Sequence, residues 1–137
     1  MSIDITVALI GLLGAFCGML ISIFVVRYML KISARHKFAA AFTDELAVLK
    51  SGIVGDECAT LQMFEASFEK HNRAYVERWS VLGKCQKRRL EKKWNKFCHG
   101  DRDLNPDDRF TYLASNAYEE KESIKTAIKN IESLIST

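Results

Sequence analysis

Proline is almost missing from this chain, with one residue, Pro106, among 137. Proline interrupts helices and sheet ladders, so its scarcity leaves long helices unopposed and excludes a proline-rich linker. Glycine is sparse too: there are seven, and Gly11, Gly14 and Gly18 fall inside one apolar run. Gly52, Gly55, Gly83 and Gly100, with Pro106, supply the remaining punctuation and cut the rest into four helix-length pieces. No stretch sustains period-two alternation, which excludes a substantial sheet. The cysteines, Cys17, Cys58, Cys85 and Cys98, are far apart and form no CxxC. Cys98-His99 alone is at most half of a metal site, so no metal or cofactor is expected. Also missing are GxGxxG, GxxxxGK[ST], HExxH and any nucleophile elbow, so no catalysis is expected. Charge of one sign is not in excess: 20 Lys and Arg face 17 Asp and Glu. A net charge of +3 is too mild for a dedicated nucleic-acid binder.

One long run lacks charge altogether. From Val7 to Val26 no residue is acidic or basic. At about 1.5 Å of rise per residue, such a helix covers the ~30 Å hydrocarbon layer of a bilayer. A helix satisfies its own backbone groups there, whereas an open strand cannot. The start, Met1-Ser2-Ile3-Asp4, has no cation, and bulky Phe16 precedes Cys17. Both features argue against a cleaved signal and for an uncleaved anchor. Cations flank one side only: Arg27, Lys31, Arg35 and Lys37 follow the run. The positive-inside rule then puts the N-terminus outside and residues 31–137 in the cytoplasm, under a bacterial inner membrane. Arg27 and Tyr28 suit the headgroup boundary. Gly14, Gly18 and Ser22 recur every four residues, with Gly11 beside them. Small residues at this spacing let two membrane helices approach closely, so this face is a candidate for homodimerisation.

The expected fold is all-α: an anchor over residues 1–30 that continues into a small helical bundle over 31–137. The first piece, 31–51, should prolong the membrane helix unbroken, with Phe38, Phe42, Leu46 and Leu49 on one stripe. The second, 56–82, carries Leu61, Phe64, Phe68, His71, Tyr75, Trp79 and Leu82 at helical spacing. The third, 84–98, sets Leu90, Trp94 and Phe97 against an opposite face of Arg88, Arg89, Lys92, Lys93 and Lys96. The fourth opens at Asn105-Pro106-Asp107-Asp108, a good helix start, and ends on Ile124, Ile128, Ile131 and Ile135. Rings should dominate the core: Phe38, Phe42, Phe64, Phe68, Tyr75, Trp79, Trp94, Phe97 and Phe110.

The order of these features resembles a set of small bacterial proteins with one membrane helix and a helical cytoplasmic part, without an assigned activity. The likeness rests on Lys37-Phe38-Ala39-Ala40-Ala41-Phe42, Glu45-Leu46, Lys70-His71 with Ala74, the Trp94 helix and Asn130-Ile131-Glu132-Ser133-Leu134-Ile135. It implies the architecture and no catalytic residue.

Two features carry chemistry. His71 lies on an apolar stripe between Phe68 and Tyr75, as a base or ligand or, more simply, as a core imidazole bonded to a neighbouring helix. No motif pairs it with a carboxylate. The run Lys84–Lys96 holds seven cations against Glu91, while residues 1–83 are balanced and 97–137 are acidic. That helix is either a solvated face or a contact for the anionic leaflet. Nucleic acid is the weaker fit, since no ring interleaves with the cations. The leading expectation is a membrane-anchored helical module that binds an unidentified protein partner. The alternatives are a bilayer-active effector that oligomerises through its span, and a tethered binder of nucleic acid or anionic lipid.

Overall fold

The computed structural model describes residues 2–52, 57–99 and 120–136, and all statements below concern these. They form five helices and no strand: α1 (Ser2–Ala40), α2 (Thr43–Ser51), α3 (Glu57–Val81), α4 (Lys84–His99) and α5 (Glu120–Ile135). The expected all-α class is what the chain adopts. The helix start at Asn105-Pro106 and the ring of Phe110 lie outside the described residues.

α1 has two halves with different surroundings. From Ile5 to Lys31 every residue is exposed, on all faces of the helix. Ile32 is the first to lose exposure, and Ala34 and Phe38 are buried. One rod therefore begins bare and apolar and ends inside a bundle.

The first piece does not run unbroken to residue 51. Ala41 and Phe42 form a turn between α1 and α2. The cause is local. Phe42 N–H donates to Ala39 in a tighter, three-residue pattern (3.1 Å), and the Thr43 hydroxyl donates to the same Ala39 carbonyl (3.2 Å). A side-chain hydroxyl thus takes the acceptor that the next backbone N–H would use, which bends helices. The bend turns the inward stripe: Glu45 is buried, whereas Leu46 is only half-buried. α2 stops where Ser51-Gly52 suggested, with Gly52 at φ +67°, a left-handed cap that glycine adopts without strain.

α3 runs antiparallel to α1 and α2. Lys37 meets Glu77, Phe38 lies under Arg78, Phe42 stacks on His71, and Glu45 meets Lys70. α4 turns back along α3 after a short corner at Gly83. The Gly83 carbonyl accepts the first α4 bond from Lys87 N–H (2.9 Å), and the Gln86 side chain accepts from Gly83 N–H (3.4 Å). This is half of a capping box, and it sets where α4 begins. α5 closes the bundle against α4 and α2. Asn130 Nδ2 donates to the Lys96 carbonyl (3.3 Å), and Lys50 pairs with Glu132 (2.6 Å).

Rings fill the core. Phe97 meets Phe42 edge-on at 5.4 Å and Phe64 at 5.7 Å, and Tyr75 stacks on Trp94 at 4.5 Å. Leu90, Ala127, Ile131 and Leu134 complete it. Trp79, expected inside, is 40% exposed, and Arg78 is buried in its place. The buried stripe of α3 runs through His71 and Arg78, seven residues or two turns apart, which carries Trp79 off the inward line. The Arg78 guanidinium settles over the Phe38 ring, 5.1 Å from its centroid.

Candidate functional site

Two groups of side chains have chemistry: a buried polar cluster where α2 meets α3, and the cationic side of α4.

The cluster is built from Glu45, Ser67, Lys70 and His71. The bend at Phe42 points Glu45 inward, and one turn of α3 offers Ser67, Lys70 and His71 to it. Lys70 Nζ donates to Glu45 Oε1 at 2.8 Å, and His71 Nε2 stands 3.4 Å from the same oxygen. His71 is fully buried; its ring lies flat on Phe42, 4.1 Å between centroids. Neither of its nitrogens makes a well-aligned hydrogen bond to a described residue, and Glu45 Oε2 makes none. Burial pulls the His71 pKa below 6.5, against the opposing pull of the Glu45 charge, so the ring is neutral at pH 7. Burial alone would raise Glu45. Hydrogen bonds from Lys70 and Ser67, with the nearby imidazole, outweigh it and hold the carboxyl below its usual value of 4.5. The result is a carboxylate neutralised by a lysine whose ammonium stays half in water, with a neutral imidazole packed between rings. Such an arrangement locks α2 to α3. His71 itself is shut from solvent.

His71 was legible as a core imidazole, but the hydrogen bond expected from it to a neighbouring helix is not made: neither nitrogen has a well-aligned partner among the described residues. Glu45 as its carboxylate neighbour was not legible, because the pair is separated by 26 residues and a bend. One signal was available: Phe38, Phe42, Glu45 and Leu49 step by 4, 3 and 4, which puts an acid on an apolar stripe.

The cations of α4 do not act as one surface. Arg88, Arg89 and Lys92 are exposed, with no carboxylate within 4 Å among the described residues. Lys93 instead turns toward α5 and donates to the Ser133 carbonyl at 2.6 Å. Lys96 is exposed, and its carbonyl accepts from Asn130. Lys87, absent from the expected set, covers the exposed Trp79 ring at 3.7 Å. The rings of α4 itself, Trp94 and Phe97, are buried behind the cations.

Along α1, Gly11, Gly14, Gly18 and Ser22 lie on the exposed rod. A methyl group added at any of the three glycines would meet nothing within 4 Å. Ser22 Oγ is occupied within its own helix, donating to the Gly18 carbonyl at 2.9 Å. Cys17 and Cys85 are exposed thiols and Cys98 is buried; none of the three is in a disulfide. Among the described residues no three His, Cys, Asp or Glu side chains converge on a metal-sized space.

α1 is long and apolar enough to cross a membrane. The class defined so far is therefore an all-α chain with a long, apolar, unpacked N-terminal helix that feeds a ring-filled bundle. No protein-family model, curated protein or solved structure matches the chain.

Proposed function

We propose that this chain is a membrane-anchored helical interaction module, with residues 1–30 in a bilayer and the bundle held at the cytoplasmic leaflet of a bacterial inner membrane. The observation that carries the reading is the change of surroundings along α1. Twenty-seven residues from Ile5 to Lys31 are exposed on every side, and the next turns of the same helix supply the core. An apolar surface that large is not left in water by a monomeric soluble protein. A buried core helix would be covered, and none of this span is.

The mechanism is confinement. A rigid helix without a linker fixes the bundle at a set height above the lipid, which raises its effective concentration toward a membrane partner. Catalysis plays no part in it, and the closed Glu45–Lys70–His71 cluster supports that assignment. The bare Gly11, Gly14, Gly18 and Ser22 face is the surface on which a second copy packs within the bilayer.

Placing Lys at both Leu13 and Phe16 tests the reading. Each cation at the centre of a span costs about 2.5–3.5 kcal/mol. The double variant is expected to leave the membrane fraction with the helix content of its bundle unchanged, because neither side chain touches α2–α5. Cross-links to membrane proteins in intact cells should be lost with it. The same cross-links from the released variant would show that tethering does nothing.

A further inference from the structure

The antiparallel register places one corner of the bundle against the lipid. Pairing falls from Lys37 with Glu77 to Glu45 with Lys70, so α3 descends along α1 toward the span. Continuing one turn beyond Phe38 and Arg78 sets Val81 and Gly83 beside residues 32–34. Ile32 and Ala34 are where α1 first loses exposure, as that register requires. α4 therefore starts level with Lys31 and Ile32, about 7 Å along the helix from Arg27. A headgroup layer is roughly 5–7 Å thick. α4 starts at its outer edge, within reach of long Lys and Arg side chains, whereas Lys96 stands about 18 Å farther out.

The chemistry of this corner fits that depth. Lys84, Lys87 and Arg88 lie in the first turn and a half of α4, and Lys31 and Arg35 are exposed at the level of α1 where the bundle begins. Among the described residues none of these five is within 4 Å of a carboxylate. Trp79, displaced from the core, lies exposed beneath the Lys87 ammonium. The Lys87 ammonium over the Trp79 ring holds a cation at this end of the bundle. Arg78 and Arg35 repel each other across the same end of the bundle, and burial already disfavours the Arg78 charge. An anionic layer relieves that repulsion.

We propose that this corner, formed by Lys31, Arg35, Trp79, Lys84, Lys87 and Arg88, is a docking surface for anionic phospholipid headgroups. It rests on the anchored reading above. It moves the anionic contact away from Lys93 and Lys96, which face α5 or stand too far out, to the membrane end of α4. Docking there fixes the tilt of the bundle, so lipid charge controls which face is presented to a partner.

Cys85, exposed in the first turn of α4, is a natural reporter. The full chain is reconstituted with a nitroxide at Cys85, with the other cysteines replaced by Ala. The vesicles are phosphatidylcholine alone or mixed with phosphatidylglycerol. Anionic lipid is expected to shield Cys85 from a water-soluble relaxant, while a label at Asn95→Cys stays accessible. Lys84→Gln, Lys87→Gln and Arg88→Gln together should lower the ratio of docked to undocked protein roughly a hundred-fold, since each cation near the leaflet contributes a factor of about five. A Cys17 label reports the anchor separately. Cys17 in hydrocarbon with Cys85 equally accessible in both lipids would overturn the docking and leave the anchor standing. Cys17 exposed to water would overturn the anchor itself. Shielding of Cys85 by an oligonucleotide but not by anionic lipid would overturn the choice of partner.

Discussion

Phe42→Ala is expected to unfold the bundle or bring it close to unfolding. Phe42 sits at the bend between α1 and α2, fully buried, and three elements meet on its ring. It stacks on His71 at 4.1 Å, meets Phe38 edge-on at 5.2 Å, and meets Phe97 at 5.4 Å. Truncating a buried phenylalanine costs about 3–5 kcal/mol, from lost apolar contact and the cavity left behind. The surroundings collapse poorly into that cavity, because the rings of Phe64 and Phe97 already brace each other at 5.7 Å. His71 would also gain an empty space beside an uncompensated imidazole. Domains of this size have only about 5–15 kcal/mol in total. The midpoint of thermal unfolding, followed by circular dichroism on the full chain in detergent, should fall by roughly 15–30 °C. Val76→Ala is the control. Val76 is 55% exposed on α3, and its loss should stay within about 0.5 kcal/mol. Similar shifts for the two variants would mean that the rings do not form the core.

Lys70→Met should be the most damaging change to the polar cluster. It removes the 2.8 Å partner of Glu45 and leaves a buried carboxylate with Ser67 and a neutral imidazole. Breaking a fully buried pair costs about 3–5 kcal/mol; here about 2–3 kcal/mol is expected, because water screens the half-exposed Lys70 ammonium. The pH dependence should change as well. In the unaltered chain His71 has a depressed folded pKa, so below 6.5 the unfolded chain takes up the proton first. Stability is therefore full above 6.5 and falls as pH drops toward the folded value. Glu45, also depressed, adds a further loss below 4.5. Lys70 is one of the charges that oppose protonation of His71. Without it, the imidazole accepts a proton more readily and pairs with Glu45. The variant should be weaker at pH 7 yet lose less on acidification below 6.5. Denaturant midpoints across that pH range check this, and parallel pH profiles for both proteins would show that the three groups are not coupled.

The sequence was most legible where periodicity is long and one-sided. The uncharged run, the Gly52 and Gly83 stops and the α4 stripe of Leu90, Trp94 and Phe97 all lie where spacing put them. It was least legible where one residue alters the phase of a helix. The Thr43 hydroxyl bends the chain by taking a backbone acceptor, and that exchanges Leu46 for Glu45 on the inward line. Spacing put Trp79 on the inward stripe; the Arg78 side chain lies along the Phe38 ring and stays inside, which displaces Trp79. The cationic face was visible as composition. Its division into Lys93 turned to α5 and Lys87 over Trp79 depends on contacts between helices, and no single-helix pattern contains those.

Fractionation of cells that make the full chain decides whether the bare half of α1 is embedded in lipid. After an alkaline carbonate wash the protein should remain entirely with the membranes and come free only in detergent. A chain recovered from the soluble fraction, monodisperse and folded in plain buffer, would contradict the anchor and the docking corner built upon it.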